Sequence, residues 1–222
     1  MALMASTLLA TCLTSCSRTL YAFQDLPKNL PQGESNLLTN PSFESAFFRI
    51  CSAKCTVSSG WSIEFTSAGP PTYYRTKTGA VSGSYAQSLI YEGKPGDDGV
   101  HKEIELYHVA VGPKTTAGSR LTFTLWVSGA CVKCAPFIGI EAFDVGYKYL
   151  GESNQYFSPP AKPHAVQVSY LLPVGTALVA CYIQVPEIYS VSRVNLQVDN
   201  ASLTVEAGPI RASASPSNKI SQ

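Results

Sequence analysis

Two close pairs of cysteines are the residues with the clearest chemical potential in this 222-residue chain, which holds seven cysteines in all. Cys51 is followed by Cys55, and Cys131 by Cys134. Thiolates at such spacing bind Zn²⁺ tetrahedrally, whereas in an oxidising compartment the same residues form disulfides. We expect the four cysteines to lie at one end of the fold as two disulfide bonds. A four-thiolate zinc site and free thiols are the alternatives.

A second group of residues is suited to binding a sugar. An aromatic ring packs against the apolar face of a pyranose, and amides or carboxylates beside it hydrogen-bond the hydroxyl groups. Trp126 is the strongest candidate because the polar residues Thr122 and Thr124 lie on the same strand face. The alternative is that Trp126 packs beneath a loop or beneath the N-terminal segment. The other candidates are Tyr182, Gln184, Glu141 and Tyr91. We expect Trp126, Tyr182 and Gln184 to lie together on one concave sheet face.

Catalytic patterns are not found in the sequence. His101 and His108 are seven positions apart, so they fall on opposite faces of a strand. No nucleophile elbow, phosphate-binding loop or HExxH motif occurs. Paired carboxylates of the kind that a glycosidase uses are present as Glu141 with Asp144 and as Glu103 with Glu105, but alternating Glu is typical of a solvated strand face. We predict that the protein is not an enzyme.

Short strands are the elements that must position these residues. Residues 121–127 alternate with period two, which puts Leu121, Phe123, Leu125 and Val127 on one face. Residues 179–185 and 194–198 alternate in the same way. Further candidate strands lie near 61–66, 72–78, 85–91, 102–110, 137–144 and 165–172, separated by Gly, Pro, Asn and Asp. Nine or ten short strands at this spacing predict an all-β, antiparallel β-sandwich.

The overall composition agrees with this fold class and excludes several others. Gly and Pro are abundant, at 16 and 15 residues, and tyrosine alone contributes 12. Charged residues make up only 14% of the chain and apolar residues 45%, so disorder over the whole length is excluded. A net charge of +1 excludes a broad electrostatic contact with nucleic acid.

The two ends of the chain differ from the middle. Residues 1–35 combine an apolar, uncharged start with a Pro-containing linker, and they predict either a signal or lipoprotein-like segment or a retained arm that packs on a partner chain. Residues 36–207 carry the strand pattern. Residues 208–222 are small, polar and aperiodic, which predicts a flexible tail.

Four segments of the middle region carry a family resemblance. They are Asn36–Glu44 followed by Gly60 and Trp61, then Ser82–Leu89, then Leu121–Val127, and finally Val198–Leu203. Their order and spacing resemble those of the jelly-roll carbohydrate-binding modules of xylanases and cellulases, a pattern also common in phage tail and capsid-surface proteins. The resemblance implies a jelly-roll sandwich over the whole of residues 36–207. It says less about the ligand, because a fold does not determine what it binds.

The same resemblance implies a structural calcium ion. It brings the first and last strands side by side, so that Glu44 and Asp199 lie near the turn at Ser82. Carboxylates together with turn carbonyls suit Ca²⁺. The alternative is that Glu44 caps a turn and that Asp199 accepts hydrogen bonds from backbone N–H groups.

Two functions remain in view from the sequence. The first is a non-catalytic virion or filament protein displayed at a surface, with weak glycan binding and with the N-terminal arm contacting copies of itself or a capsid, tail or filament protein. The second is an exported or lipid-anchored carbohydrate-binding module. Both predict an extracellular or particle-surface location.

Overall fold

The computed structural model of the protein describes residues 36–44, 47–49, 56–111 and 119–206. The predictions for the arm at 1–35, for Cys51 and Cys55, and for the tail at 208–222 concern residues outside these ranges. The domain boundaries at 36 and 207 therefore stay predictions. No helix long and apolar enough to cross a membrane occurs in the described part of the chain.

Twelve strands account for the regular structure of the described residues. They are β1 (Phe47–Arg49), β2 (Thr56–Ser58), β3 (Trp61–Phe65), β4 (Thr72–Thr76), β5 (Ala86–Glu92), β6 (Ile104–Val111), β7 (Arg120–Val132), β8 (Phe137–Phe143), β9 (Tyr149–Tyr156), β10 (His164–Leu171), β11 (Leu178–Val185) and β12 (Arg193–Glu206).

The strands form two five-stranded antiparallel sheets that pack face to face. Sheet 1 has the order β10-β7-β12-β5-β4, and sheet 2 has the order β3-β6-β11-β8-β9. A small hairpin of β1 and β2 lies outside both sheets. This architecture confirms the predicted all-β antiparallel sandwich of jelly-roll type.

The core lies between the sheets and is built from alternate residues of each strand, as the period-two pattern predicts. From β7, Leu121, Phe123, Leu125 and Val127 are buried, and from β11, Val179, Cys181, Ile183 and Val185 are buried. The predicted strand near 165–172 is found as β10, and the one near 137–144 as β8. Trp61, which follows Gly60, is also buried.

One long strand, β9, has no counterpart among the predicted strands. Its sequence, Tyr149–Tyr156, has polar residues at most positions and lies at the edge of sheet 2, paired only with β8 among the described strands. An edge strand with few core contacts needs no apolar alternation, so the pattern that revealed the other strands is absent here.

The first described segment attaches to an irregularity in β12. The pairing of β12 with β7 shifts register between Asp199 and Ser202. The Asn36 side chain fills the gap: its Nδ2 donates to the Ala201 carbonyl at 3.1 Å, and its Oδ1 accepts from the Leu203 amide at 2.9 Å. The amide of Asn36 thus replaces ladder hydrogen bonds that the bulge interrupts.

A buried histidine joins the same segment to sheet 2. The His108 Nε2 accepts from the Thr39 amide at 3.2 Å, and the ring packs edge-on against Trp61 at a centroid distance of 5.4 Å. The His108 Nδ1 is buried without a hydrogen-bond partner in the described structure. Burial therefore lowers the pKa of His108 to about 4.

We predict that acid destabilises the fold through His108. Its pKa lies below the usual 6.5, so the unfolded state binds the extra proton first, and stability is lost as the pH falls from about 6.5 to about 4. The loss amounts to roughly 3 kcal/mol. Urea unfolding of wild type and His108→Gln at pH 7, 5.5 and 4 measures it as the difference between the two proteins.

The exposed His164 provides the matched control, because His164→Gln should leave the pH dependence of wild type unchanged. A wild-type stability that falls no faster with acid than that of His108→Gln would contradict the assignment.

Candidate functional site

The predicted sugar-binding residues divide between the two outer faces of the sandwich. Trp126 belongs to β7 in sheet 1, whereas Tyr182 and Gln184 belong to β11 in sheet 2. The expectation that these three residues share one face is wrong. Alternation distinguishes the two faces of a strand, but it does not indicate which sheet the strand joins.

Trp126 is half-buried on the outer face of sheet 1, where it lies opposite Asp199 and Ala165 in the strand register. On the same face, Thr122 hydrogen-bonds Ser169 across the strands at 2.9 Å. The structure does not test the role in sugar binding that the sequence indicates for Trp126, and a sugar bound there would lie on a different face from the candidates of sheet 2.

Tyr91 does not face solvent. Its ring belongs to the core between the sheets with 3% exposure, and its hydroxyl donates to Asp97 Oδ2 at 2.6 Å. Burial and this hydrogen bond raise the pKa of Tyr91 to about 12. The prediction that Tyr91 contacts a sugar is corrected, because β5 turns this position inward.

The outer face of sheet 2 collects the remaining candidates, and we call it the tyrosine face. The strand register puts Tyr182 opposite Tyr107 and Gly139, and Gln184 opposite Glu105 and Phe137. Glu141 lies opposite Ala180 and Glu152. The face is defined by the outward residues of its five strands: Ser62, Glu64, Glu105, Tyr107, Val109, Phe137, Glu141, Phe143, Tyr149, Glu152, Asn154, Tyr156, Ala180, Tyr182 and Gln184.

Tyr182 lies flat across the neighbouring strand instead of standing away from the sheet. A Cβ added to Gly139 would come within 2.4 Å of the Tyr182 ring, so only glycine leaves room for the ring at that position. The Tyr182 hydroxyl donates to Asn154 Oδ1 at 2.9 Å, with a longer contact of 3.4 Å to Glu152. With 2% of its surface exposed, Tyr182 holds the side chains of β9 in position and forms the floor of the face.

Two tyrosines of β9 supply the exposed rings. Tyr149 is 51% exposed and Tyr156 is 58% exposed. Each is held by a phenylalanine of β8: the Tyr156 and Phe137 centroids are 4.9 Å apart, and those of Tyr149 and Phe143 are 6.0 Å apart. Rings supported in this way lose little conformational freedom when a ligand packs on them.

The face carries negative charge. Glu64, Glu105, Glu141 and Glu152 all lie on it, and the five strands of sheet 2 contain no Lys or Arg. The pKa of Tyr182 is raised, first by burial and then by the charges of Glu141, Glu152 and Glu105. Burial, followed by the charges of Glu64 and Glu105, raises the pKa of Tyr107 to about 12.

The Gln184 side chain contacts a buried carboxylate, that of Glu103. Its Nε2 donates to Glu103, and both side chains are buried. Glu103 is therefore a structural partner of Gln184, and the alternating pair Glu103 and Glu105 is not uniformly solvated. Asp144, from the other proposed carboxylate pair, accepts from the Gly146 and Lys148 amides in the β8–β9 turn.

The candidates chosen from the sequence include none of the residues that β9 contributes to this face, which are Tyr149, Glu152, Asn154 and Tyr156. All four belong to β9, the strand that lacked an apolar pattern. The available signal was the alternation of Glu152, Asn154 and Tyr156, which is the polar half of a period-two pattern.

Glu44, Asp199 and Ser82 come together as expected from the resemblance. Glu44 Oε1 accepts from the Ser84 and Tyr85 amides at 2.8 and 2.7 Å. Asp199 Oδ2 accepts from the Val81 and Ser82 amides at 2.6 and 2.8 Å. These contacts form the backbone-capping alternative to a metal site.

The chemistry of this donor set also fits a hard cation. The pKa of Asp199 is raised by burial, and the charge of Glu44 raises it further against three backbone hydrogen bonds. A cation between the two carboxylates would offset that repulsion, with Glu44 and Asp199 as ligands beside the Ser82 turn. Calcium at this site stays a prediction.

Of the predicted cysteine pairs, only the second lies in the described residues. Cys131 and Cys134 form a disulfide with a Cα–Cα distance of 5.6 Å at the end of β7. A thiolate zinc site would require this bond to be reduced, so Zn²⁺ on the four paired cysteines stays the minority prediction. Cys181 is a free, buried thiol in the core.

No protein-family model matches the sequence, and no curated protein matches it. Solved structures do match. The enzymatically active domain of tailspike protein 4 from bacteriophage CBA120 aligns with a TM-score of 0.58 and 12% identity, over 78% of this chain and 22% of that chain. The cyclase Fisc from Fischerella sp. TAU, solved with a pyrrolidinylidene-indole ligand, aligns with a TM-score of 0.55 and 12% identity, over 78% and 98% of the two chains.

A carbohydrate-binding module, TmCBM61 in complex with β-1,4-galactotriose, matches with a TM-score of 0.48 and 16% identity, over 78% of this chain and all of the other. At these identities the likenesses above a TM-score of 0.5 show a shared fold alone. Because a tailspike domain and a cyclase share this fold, the fold does not indicate the function.

We predict that Ca²⁺ stabilises the protein through Glu44 and Asp199. Extracellular modules bind Ca²⁺ with dissociation constants of about 0.1–1 mM, so about 10 mM CaCl₂ should raise the Tm by about 3–10 °C relative to EGTA. Differential scanning calorimetry of wild type and Glu44→Gln measures the shift, which the variant should lose.

Mg²⁺ at the same concentration controls for ionic strength. If the two carboxylates serve only to cap backbone amides, the melting temperatures in CaCl₂ and in EGTA will coincide for wild type, and the calcium prediction is then wrong.

Proposed function

We propose that this protein is a non-catalytic jelly-roll module that binds a glycan on its tyrosine face. The observation that carries the proposal is the pair of supported, exposed rings, Tyr149 and Tyr156, in one row with Glu152 and Asn154. Aromatic rings beside carboxylates and amides are the groups that recognise a pyranose.

The spacing of the rings suits a chain of several sugars. Tyr149 and Tyr156 lie at opposite ends of β9, roughly 20 Å apart at about 3.3 Å per residue. An oligosaccharide lying along the strand would meet a ring at each end and the polar side chains between them.

The polar groups of the row are held in place before any ligand arrives. The Tyr182 hydroxyl bonds Asn154 Oδ1, and the Asn154 amide donates to Glu152 Oε1 at 3.2 Å. Fixing these side chains in the free protein reduces the entropy lost on binding. Tyr182 and Gln184 thus support the site from beneath, and Glu141 flanks it on β8.

The arrangement of the carboxylates supports binding without hydrolysis. A glycosidase needs two carboxyl groups on opposite sides of the scissile bond. Here all four glutamates belong to one sheet and approach a ligand from the same side.

Affinity for a single ligand should be weak, on the order of millimolar to micromolar, because each net hydrogen bond contributes about 1 kcal/mol. Many copies on one particle or cell would raise the avidity. This leads to the finer form of the proposal, a virion or filament component displayed at a surface. The tailspike likeness is its support; the exported or lipid-anchored module is the alternative.

We predict that the tyrosine face, and not Trp126, carries glycan binding. Tyr149→Ala and Tyr156→Ala each remove one exposed ring and should weaken binding about five- to tenfold without changing the Tm by more than a few degrees. An array of neutral, acidic and amine-bearing oligosaccharides, probed with the chain tetramerised on streptavidin, identifies ligands that calorimetry then quantifies.

Trp126→Ala is the matched control, since it removes a partly exposed ring from the opposite face. Loss of binding in Trp126→Ala with retention in both tyrosine variants would move the site to sheet 1. An array on which the tetramer binds no glycan would reject the proposed function.

For the finer proposal, we predict that the N-terminal arm mediates assembly. Asn36, the residue that follows the arm, is held to β12 by the hydrogen bonds of its own side chain. Deleting residues 1–35 should leave a folded monomer, as measured by light scattering and circular dichroism, whereas the full chain forms larger species. A deletion that unfolds the protein, or a full chain that is itself monomeric, would contradict an assembly role.

A further inference from the structure

Two pairs of like charges lie directly opposite each other on the tyrosine face. Glu141 on β8 is in register with Glu152 on β9, and Glu64 on β3 is in register with Glu105 on β6. Directly opposed side chains on one face have Cβ atoms about 5 Å apart, and like charges at that distance are destabilising. The strand pairing therefore puts two repulsive pairs on this face.

The charge of this face departs from that of the whole chain. The sequence has 16 Lys and Arg against 15 Asp and Glu, yet none of the basic residues falls in the five strands of sheet 2. A contrasting pair exists on sheet 1, where Glu92 lies opposite Arg193. The like-charge pairs are therefore a local property of the tyrosine face.

The groups on this face that can hydrogen-bond a ligand are mainly hydrogen-bond acceptors. The Asn154 oxygen already accepts from Tyr182, and its amide nitrogen donates to Glu152. Half-buried Glu141 and exposed Glu152 add carboxylate oxygens. A ligand that donates hydrogen bonds, and above all one that carries positive charge, complements this surface.

The exposed rings favour the same kind of ligand. Tyr149 and Tyr156 are on the strand that carries Glu152, one on each side of it. The face of a tyrosine ring attracts a cation as well as packing against a sugar ring. Aromatic rings and carboxylates together are the groups that bind an ammonium group on an apolar frame.

We propose that the tyrosine face selects glycans that carry protonated amines, with the ammonium group bound by Glu141 and Glu152 between the rings of Tyr149 and Tyr156. This inference rests on the proposed glycan-binding function and adds the class of ligand. Polymers of uronic acids are excluded from the face by charge, and neutral glycans bind it more weakly.

The test compares two hexasaccharides with the same backbone, β-1,4-linked glucosamine and β-1,4-linked N-acetylglucosamine, by calorimetry at about pH 6. In about 50 mM NaCl we expect the glucosamine hexamer to bind at least tenfold more tightly. In about 500 mM NaCl the ratio should fall to about twofold, because salt screens charges at an exposed site. Polygalacturonate should not bind.

Variants separate the charge from the rings. Glu141→Gln and Glu152→Gln should each weaken binding of the glucosamine hexamer about fivefold, while raising the Tm by about 1–3 °C because a repulsion is removed. Glu92→Gln is the matched control, because it removes a glutamate that lies opposite Arg193. This variant should leave the affinity unchanged and should not raise the Tm. Tyr156→Ala should weaken both hexamers.

The outcomes distinguish this inference from the function on which it rests. Equal affinity for both hexamers, or binding of neutral array glycans alone, overturns the amine preference and leaves glycan binding intact. A lysine hexapeptide that binds as tightly as the glucosamine hexamer also overturns it, since charge alone would then account for the affinity. Failure of every glycan to bind overturns both.

Discussion

The antiparallel pairing of β12 with β7 is the interaction on which the rest of the described structure depends. These are the two longest strands, and they form the centre of sheet 1. The register shift at Asp199 and Ser202 interrupts their ladder, and the first described residues of the chain attach at that place through Asn36. Asp199, beside the same shift, accepts the amides of the loop at Val81 and Ser82. One irregularity thus connects the first described residues, the loop at Ser82 and the last described strand.

The two sheets differ in what they contribute to the protein. The first described residues and the loop at Ser82 attach to sheet 1, which also contains the last described residues. Sheet 2 carries the acidic, aromatic surface. The hydroxyl of its central residue, Tyr182, hydrogen-bonds Asn154 and not solvent. Gly139 makes this possible, because any side chain there would meet the Tyr182 ring. The same sheet carries glutamates directly opposite each other, and core packing does not account for this arrangement. Departures of this kind from the arrangement that best stabilises a fold are typical of binding surfaces.

Most of the fold could be predicted from the sequence, whereas much of the site could not. Alternation in β7, β11 and β12 identified the inward residues correctly, because burial of one strand face determines which residue types are tolerated. The same pattern carries no information about which strands become neighbours, so Trp126 and Tyr182 were wrongly assigned to one face. Tyr91 was misassigned for a related reason: a tyrosine on a strand suits the core as well as the surface when its hydroxyl finds a partner such as Asp97. The exposed rings of β9 could not be predicted, because an edge strand with few core contacts does not require apolar alternation in its sequence.

The weak constraint that the fold places on the sequence of β9 has a consequence for evolution. Since its outward residues contribute little to the core, Tyr149, Glu152, Asn154 and Tyr156 can change without threatening the stability of the sandwich. Their supports, Phe137, Phe143 and Tyr182, lie on better-packed strands and would remain to present whatever replaces them. A lineage carrying this domain could therefore exchange one ligand for another by altering a single peripheral strand, while the folding of the domain stays under separate selection.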